Sequence, residues 1–342
     1  IRRQRQMCIR DSYGPWAGFL FGWIQLTIVR PGDIALMAFA FATYAVTIYQ
    51  PLGPDHTPLA CQGYACTAVV VLTLINILGV RAGKWTQNLL TTVKALGLLA
   101  VVVVALLGPE AAPRPAEFEP LPVSLALILV LFTYGGWNEM AYVAAEVKNP
   151  RRNIVRALVL GTAAVMVLYL LVNAAFLYTL GYHGLATSRA VAADTVATVF
   201  PRFAARFISV LVCVSALGAV NGLIFTGARI SYAVGLDHRP LGLLGRWQRR
   251  RQTPAWALAL QGALALGLIL ALGSFIKTIV YTAVAVYSFY LATSLSVLVL
   301  RRKEPHLERP YRVTAYPLPT LVFCAVCAGL IYSSISYARQ HQ

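Results

Sequence analysis

Apolar residues surround nine stretches of the chain, at 14–48, 65–80, 86–107, 121–144, 154–181, 206–235, 254–272, 276–300 and 317–337. A helix resting on a soluble core shows one apolar stripe and one polar face, whereas a helix apolar all round belongs inside a large protein or in lipid. The charge-poor runs at 96–107, 158–180 and 257–272 approach the roughly 20 residues that cross about 30 Å of hydrocarbon as helix. Membrane barrels need short segments of alternating polarity instead. The pattern therefore predicts an all-α polytopic membrane protein, and the short loops predict a single bundle. The first stretch, 35 residues, would be about 52 Å long as a straight helix. It must tilt strongly or begin at the interface, and Pro31 marks a place for a local break because its ring clashes with the preceding turn.

Composition and charge sharpen this picture. Only 12% of the 342 residues are charged against 58% apolar, where a soluble domain is roughly a quarter charged. The net charge of +17 raises nucleic acid as a partner until the basic residues are located. Alternate loops hold 17 Lys and Arg, among them Arg81, Lys84, Arg151, Arg152, Arg249 to Arg251 and Arg301 to Lys303, while the opposite loops and the C-terminal end hold 6. That asymmetry is a topological signal. It places the basic loops in the cytoplasm and the protein in the plasma membrane, the inner membrane of a bacterium, with the lipid bilayer as partner and no role for nucleic acid. Residues 13–342 read as one transmembrane domain. Residues 1–12 read as a non-native leader, since the chain opens on Ile1 and the run QRQMCIRDS at 4–12 resembles adaptor read-through.

Six scattered cysteines do not make a disulfide scaffold. Cys61 and Cys66 flank the start of the 65–80 stretch and leave a bridge open there. The five histidines fall in loops or at the end of the chain without ligand spacing, so neither a metal nor another cofactor is expected. No nucleophile elbow, phosphate-cradling loop or carboxylate cluster appears, which leaves an enzyme without support.

Chemistry concentrates in the charged and glycine positions of the apolar runs. Phe132-Thr133-Tyr134-Gly135-Gly136-Trp137-Asn138 sits mid-stretch, and its adjacent glycines cost about 2 kcal/mol of helix propensity relative to alanine. One reading is a helix broken at mid-bilayer, whose freed backbone groups meet a zwitterionic ligand. The other is close packing of two helices over a small-residue pair. Lys94 lies about 15 Å beyond Lys84 along a helix, too deep to reach the interface easily. It reads as a proton relay or fixed cation, or else as a structural amine bonded to carbonyls. Arg30 and Asp33, three apart, read as a neutralised pair on one helical face. Glu139, on the cytoplasmic side of the glycines, is a candidate for setting substrate charge preference.

The run FTYGGWNEMAYVAAEVKNPRRNI at 132–154 closely resembles the sixth transmembrane helix and following loop of the L-type amino acid transporters, within the amino acid, polyamine and organocation superfamily. VNGLIFTGARISYAVGLDHRPL at 220–241 resembles that family's eighth helix, RRKEPHLERPYRV at 301–313 the loop before its eleventh, WIQLTIVRPGDIALMAFAFATY at 23–44 its third helix, and QNLLTTVKALGLLA at 87–100 its fifth. The resemblance implies an inverted-repeat bundle of five plus five helices of the leucine-transporter type, with the present segments as helices three to eleven. It implies a fragment lacking the first two helices and the twelfth. It further implies that Gly135 offers backbone to a substrate amine beside Gly136, that Phe132 is an aromatic gate, and that Trp137, Asn138 and Asn221 wall the pocket. Lys94 matches a lysine standing in for a coupling sodium ion. The implied function is secondary active transport of an amino acid by alternating access, as proton symport or exchange. The alternative is a transport-inactive membrane sensor or scaffold of the same fold. No heavy-chain glycoprotein is expected, because the outer loop after the first span carries no cysteine.

Overall fold

The computed structural model describes residues 4–53, 56–111, 150–188, 190–248, 250–273, 275–306 and 315–340, with Thr133, Gly135, Gly136, Glu139, Val147 and Asn149 in between. The helices are α1 (Gln4–Tyr13), α2 (Pro15–Ile24), α3 (Arg30–Ile48), α4 (Thr57–Leu78), α5 (Val80–Leu107), α6 (Pro150–Thr187), α7 (Val191–Ala197), α8 (Ala204–Asp237), α9 (Ala255–Leu272), α10 (Phe275–Lys303) and α11 (Leu318–Gln340). Among the described residues there is no named strand, only an isolated bridge between Gln248 and Thr253. Among the described residues, six helical stretches are long and apolar enough to cross a membrane: Pro15–Ile48, Thr57–Leu78, Val80–Leu107, Arg152–Thr187, Ala204–Asp237 and Ala255–Leu272. Helices α10 and α11 fall on the predicted stretches 276–300 and 317–337. The stretch 121–144 lies outside the described residues except at Thr133, Gly135, Gly136 and Glu139.

The local irregularities follow from particular residues. Between α2 and α3 the chain widens into a π-helical turn at Gln25–Val29, with the Arg30 N–H reaching back to the Gln25 carbonyl. The expected break near Pro31 is thus a wide turn in a continuous helix, placed just before a residue that has no N–H to donate. Helix α4 starts at Thr57 rather than 65, with proline in its first turn, so Cys61 and Cys66 stand inside it. Both are unlinked. Gly79 (φ 155°) separates α4 from α5, and Gly181 (φ 66°) kinks α6 where the sequence ends that span. Helix α1 takes in residues 4–12 of the stretch 1–12 that reads as a leader, together with Tyr13. Its Ile9 is buried with Ala17, Tyr13, Phe21 and Phe289, and the Tyr13 hydroxyl donates to the Ala292 carbonyl of α10 at 3.0 Å.

Helix α8 is the axis of the bundle, touching α3, α4, α5, α7 and α9. The main core joins Ala35, Ala38 and Ala42 of α3, Ala65 and Val69 of α4, Val220, Ile224 and Ala228 of α8, and Leu258 and Ala265 of α9. Small side chains at such crossings bring helix backbones close together. In lipid, where apolar burial gives helices no preference for each other over acyl chains, that packing drives association. A second core sets Val101 of α5 against Val196 of α7 and Ala204 and Ile208 of α8, and a third sets Val102 and Ala105 against Val172 and Ala175 of α6.

Candidate functional site

The π-helical turn ends at Arg30, whose side chain is only 2% exposed. Its Nη1 and Nη2 donate to the two carboxylate oxygens of Glu139 at 2.9 and 2.8 Å, and its Nε donates to Gln25 Oε1 at 3.3 Å. The planar fork of a guanidinium matches a carboxylate in this two-bond manner. Thr226 of α8 donates its hydroxyl to Glu139 Oε2 at 2.7 Å. Asp33, one turn beyond Arg30, lies within electrostatic reach of both charges. Glu139 therefore joins α3 to α8, and its carboxylate meets a cation rather than open space. The local spacing of Arg30 and Asp33 did not disclose this partner, 109 residues away. The available signal was that Glu139 is a lone acid in an apolar stretch and Arg30 a base in another.

Three residues before Glu139, the chain leaves helical geometry. Thr133 is helical, whereas Gly135 and Gly136 form a turn and Gly136 has φ 92°. That is a conformation glycine adopts without steric cost. The Glu139 N–H donates to the Gly136 carbonyl at 3.0 Å, closing a short turn. Both glycines are exposed, and a Cβ built on Gly136 meets nothing within 4 Å. At Gly136, then, the pair is not pressed against a neighbouring helix among the described residues. Phe132, Trp137 and Asn138 lie outside the described residues.

Asn221, on α8 five residues before Thr226, is wholly buried. Its Oδ1 accepts from Asn76 Nδ2 of α4 at 2.8 Å, and its Nδ2 donates to the Gly83 carbonyl at 3.1 Å and to Gln87 Oε1 at 2.9 Å, both on α5. The amide is thus satisfied by protein and registers three helices against one another. Neither Asn76 nor Gln87 was singled out in the sequence, although each is a neutral amide in or beside an apolar run. Lys94 is exposed at the middle of α5. It shares a helical stripe with Gln87, Leu90 and Gly97. A Cβ on Gly222 or Gly218 of α8 would stand 3.6 Å from the Gln87 amide or 3.3 Å from Leu90 Cβ, and one on Gly97 3.1 Å from Leu211 Cγ. Lys94 therefore lies on the stripe of α5 that faces α8, about 10 Å along α5 from Gln87 of the Asn221 network.

Arg30, Glu139 and Thr226 are thus joined by hydrogen bonds beside the glycine turn, while Asn221 belongs to a separate amide network and Lys94 lies further along α5. A model of the family described as amino acid permease matches residues 7–340. The chain belongs to the amino acid permease family. This permease chain is 31% identical over 318 residues to the b(0,+)-type amino acid transporter 1 of Oryctolagus cuniculus, covering 89% of this chain and 64% of that protein. It is 30% identical to the protein of the same name from Homo sapiens, again covering 64% of it. The large neutral amino acids transporter small subunit 2 of Mus musculus is 29% identical over 331 residues, 93% of this chain and 61% of that protein. The permease chain thus spans under two thirds of the length of these curated relatives. They are named as transporters, one of them as a small subunit. The resemblance drawn from the GGWN and EVKNPRRN motifs and the all-α membrane architecture are both borne out, and amino acid transport is the function the relatives carry.

Proposed function

We propose that this chain forms the substrate-binding part of a secondary active amino acid transporter that works by alternating access, as proton symport or exchange. The observation that carries the reading is the Gly135–Gly136 turn. Gly136 takes φ 92° with no described atom within 4 Å of a Cβ placed there, while the next side chain with a charge, Glu139, is anchored to α3 and α8. In this reading the backbone at Gly135 and Gly136 takes the substrate amine, Phe132 closes over it, and Trp137 and Asn138 line the pocket. Asn221 holds α4, α5 and α8 in register beside that pocket. Glu139, neutralised by Arg30, positions the turn and presents little free charge to the substrate, so a neutral amino acid fits better than a cationic one. No bond is made or broken in the substrate.

Lys94 supplies coupling. A lysine at mid-membrane is costly to keep charged, so an amine exposed beside α8 exchanges a proton as the surrounding cavity alternates between wet and closed. The basic loops face the cytoplasm of a plasma membrane. The protein works without a heavy-chain glycoprotein, because the connection between α3 and α4, residues 49–56, holds no cysteine for a bridge. That part of the proposal runs against the small-subunit name of one relative.

The test is reconstitution of the intact protein in liposomes with labelled leucine, serine and arginine. Saturable uptake of a neutral amino acid, driven by a proton gradient or by a preloaded counter-substrate, is the expected result. Saturable binding with no uptake under either condition overturns transport and leaves a sensor of the same fold.

A further inference from the structure

The end of α4, the start of α5, the end of α8 and the start of α9 meet on one side of the bundle, and basic residues crowd there. The Val80 N–H donates to the Arg251 carbonyl at 3.4 Å, so the connection from α8 to α9 lies directly against the corner between α4 and α5. That connection is ordered by its own turn: the Gln248 N–H donates to the Thr253 carbonyl at 3.0 Å, and Gln252 takes φ 54°. Trp247 packs edge-on against Tyr232 of α8 with ring centroids 5.2 Å apart. Arg81 and Lys84 on α5 and Arg250 and Arg251 on the turn are all exposed. Among the described residues no acidic side chain pairs with any of them. The sequence runs 79–88 and 238–256 contain no acid at all.

The main-chain bond sets Arg251 beside the helix turn that carries Arg81 and Lys84, and a cluster of like charges without acids favours an anion among them. The surroundings say which kind. Trp85 is 72% exposed, and Trp247 is exposed beside the arginines, as indoles are at the headgroup level of a bilayer. Leu74 and Leu78 on the last turns of α4 are also exposed, giving an apolar wall running from the cations toward the membrane interior. A free phosphate uses only the cations, whereas a phospholipid uses both surfaces.

We infer that the surface formed by Arg81, Lys84 and Trp85 at the α4–α5 corner together with Trp247, Arg250 and Arg251 is a binding site for the headgroup of an anionic phospholipid, with its acyl chains along α4. The inference goes beyond transport and does not depend on it. The test uses the full chain in nanodiscs of phosphatidylcholine containing a minority of bromine-tailed phosphatidylglycerol, compared with the same fraction of bromine-tailed phosphatidylcholine. Quenching of the Trp85 and Trp247 emission, identified by Trp85→Phe and Trp247→Phe, reports occupancy. Phosphatidylglycerol should quench at a lower mole fraction than phosphatidylcholine. The preference should fall by about fivefold for each of Arg250→Gln and Arg251→Gln, following the typical attraction of one basic residue to an anionic surface. Both substitutions are at exposed positions, and the wild-type comparison stands without them. Equal quenching by the two lipids overturns the site, as does a preference unchanged in both variants. Displacement of the lipid by inorganic phosphate at constant ionic strength would show an anion site rather than a lipid site and would equally overturn it.

Discussion

Removing Arg30 should destabilise the protein more than removing its partner Glu139. The fork makes two charge-assisted bonds of 2.9 and 2.8 Å, and breaking a buried pair by deleting one member costs about 3–5 kcal/mol because the other charge is left uncompensated. Arg30→Met strands two carboxylates, Glu139 and Asp33, that repel each other, so it should lie in that full range. Glu139→Gln leaves Arg30 with Asp33 still nearby, and the glutamine oxygen still accepts from one guanidinium N–H and from Thr226. Its cost should be nearer the value of one charged hydrogen bond, about 1.5–3 kcal/mol. Glu139 is 25% exposed at its side chain, which lets water offset part of either loss. The assay is reversible unfolding of the purified protein in mixed micelles of mild detergent and SDS, followed by tryptophan fluorescence, for both single variants and the double variant. A coupling energy above about 1.5 kcal/mol is expected, well over the average of about 0.6 for polar pairs in membrane helices. Additivity within about 0.5 kcal/mol, or a larger loss for Glu139→Gln than for Arg30→Met, would refute the pairing argument.

Gly136→Ala should cost about 1–2 kcal/mol of stability, because an L residue is strained at φ 92° although its methyl has room; the thermal shift that substrate gives the wild type should vanish in this variant. Gly83→Ala places a Cβ against the Asn76 carboxamide and should cost about 1–3 kcal/mol by unpairing buried amides. Adding Asn76→Ala should give less than the sum of the two losses, and a strictly additive double variant would speak against a shared network. Lys94→Ala should leave folding intact, since the side chain is exposed, yet flatten the dependence of uptake in the intact protein between about pH 5 and about pH 8. Uptake with an unchanged pH profile would remove Lys94 from coupling.

The membrane spans were legible because a bilayer imposes one simple demand, an apolar run of fixed length, and 14–48, 206–235 and 254–272 read within a few residues of the helices. The ends of α4 and α5 were less legible. Residues such as Pro58, Gln62, Arg81, Lys84 and Trp85 are helical but sit at the polar boundary, where hydropathy falls before the helix does. Pairing was least legible. A local rule of three- and four-residue spacing offers Arg30 to Asp33, which does lie within its electrostatic reach, but it does not offer the carboxylate 109 residues on that the guanidinium forks onto. Nothing in either run states that α3 and the glycine turn are neighbours. The same holds for Asn221, read as a wall of the pocket, whose donors and acceptors go to Asn76, Gly83 and Gln87. What both cases share is α8, which carries Asn221 and Thr226 five residues apart and so ties α4, α5 and, through Glu139, α3 to one rod. A buried polar group that must find a partner in lipid will take one from whichever helix the small-residue stripes bring close. The alanines of α3 and the glycines at 83, 218 and 222 therefore decide which polar residues meet. The glycine motif names the residues at the turn, and the small residues of the neighbouring helices determine what holds that turn in place.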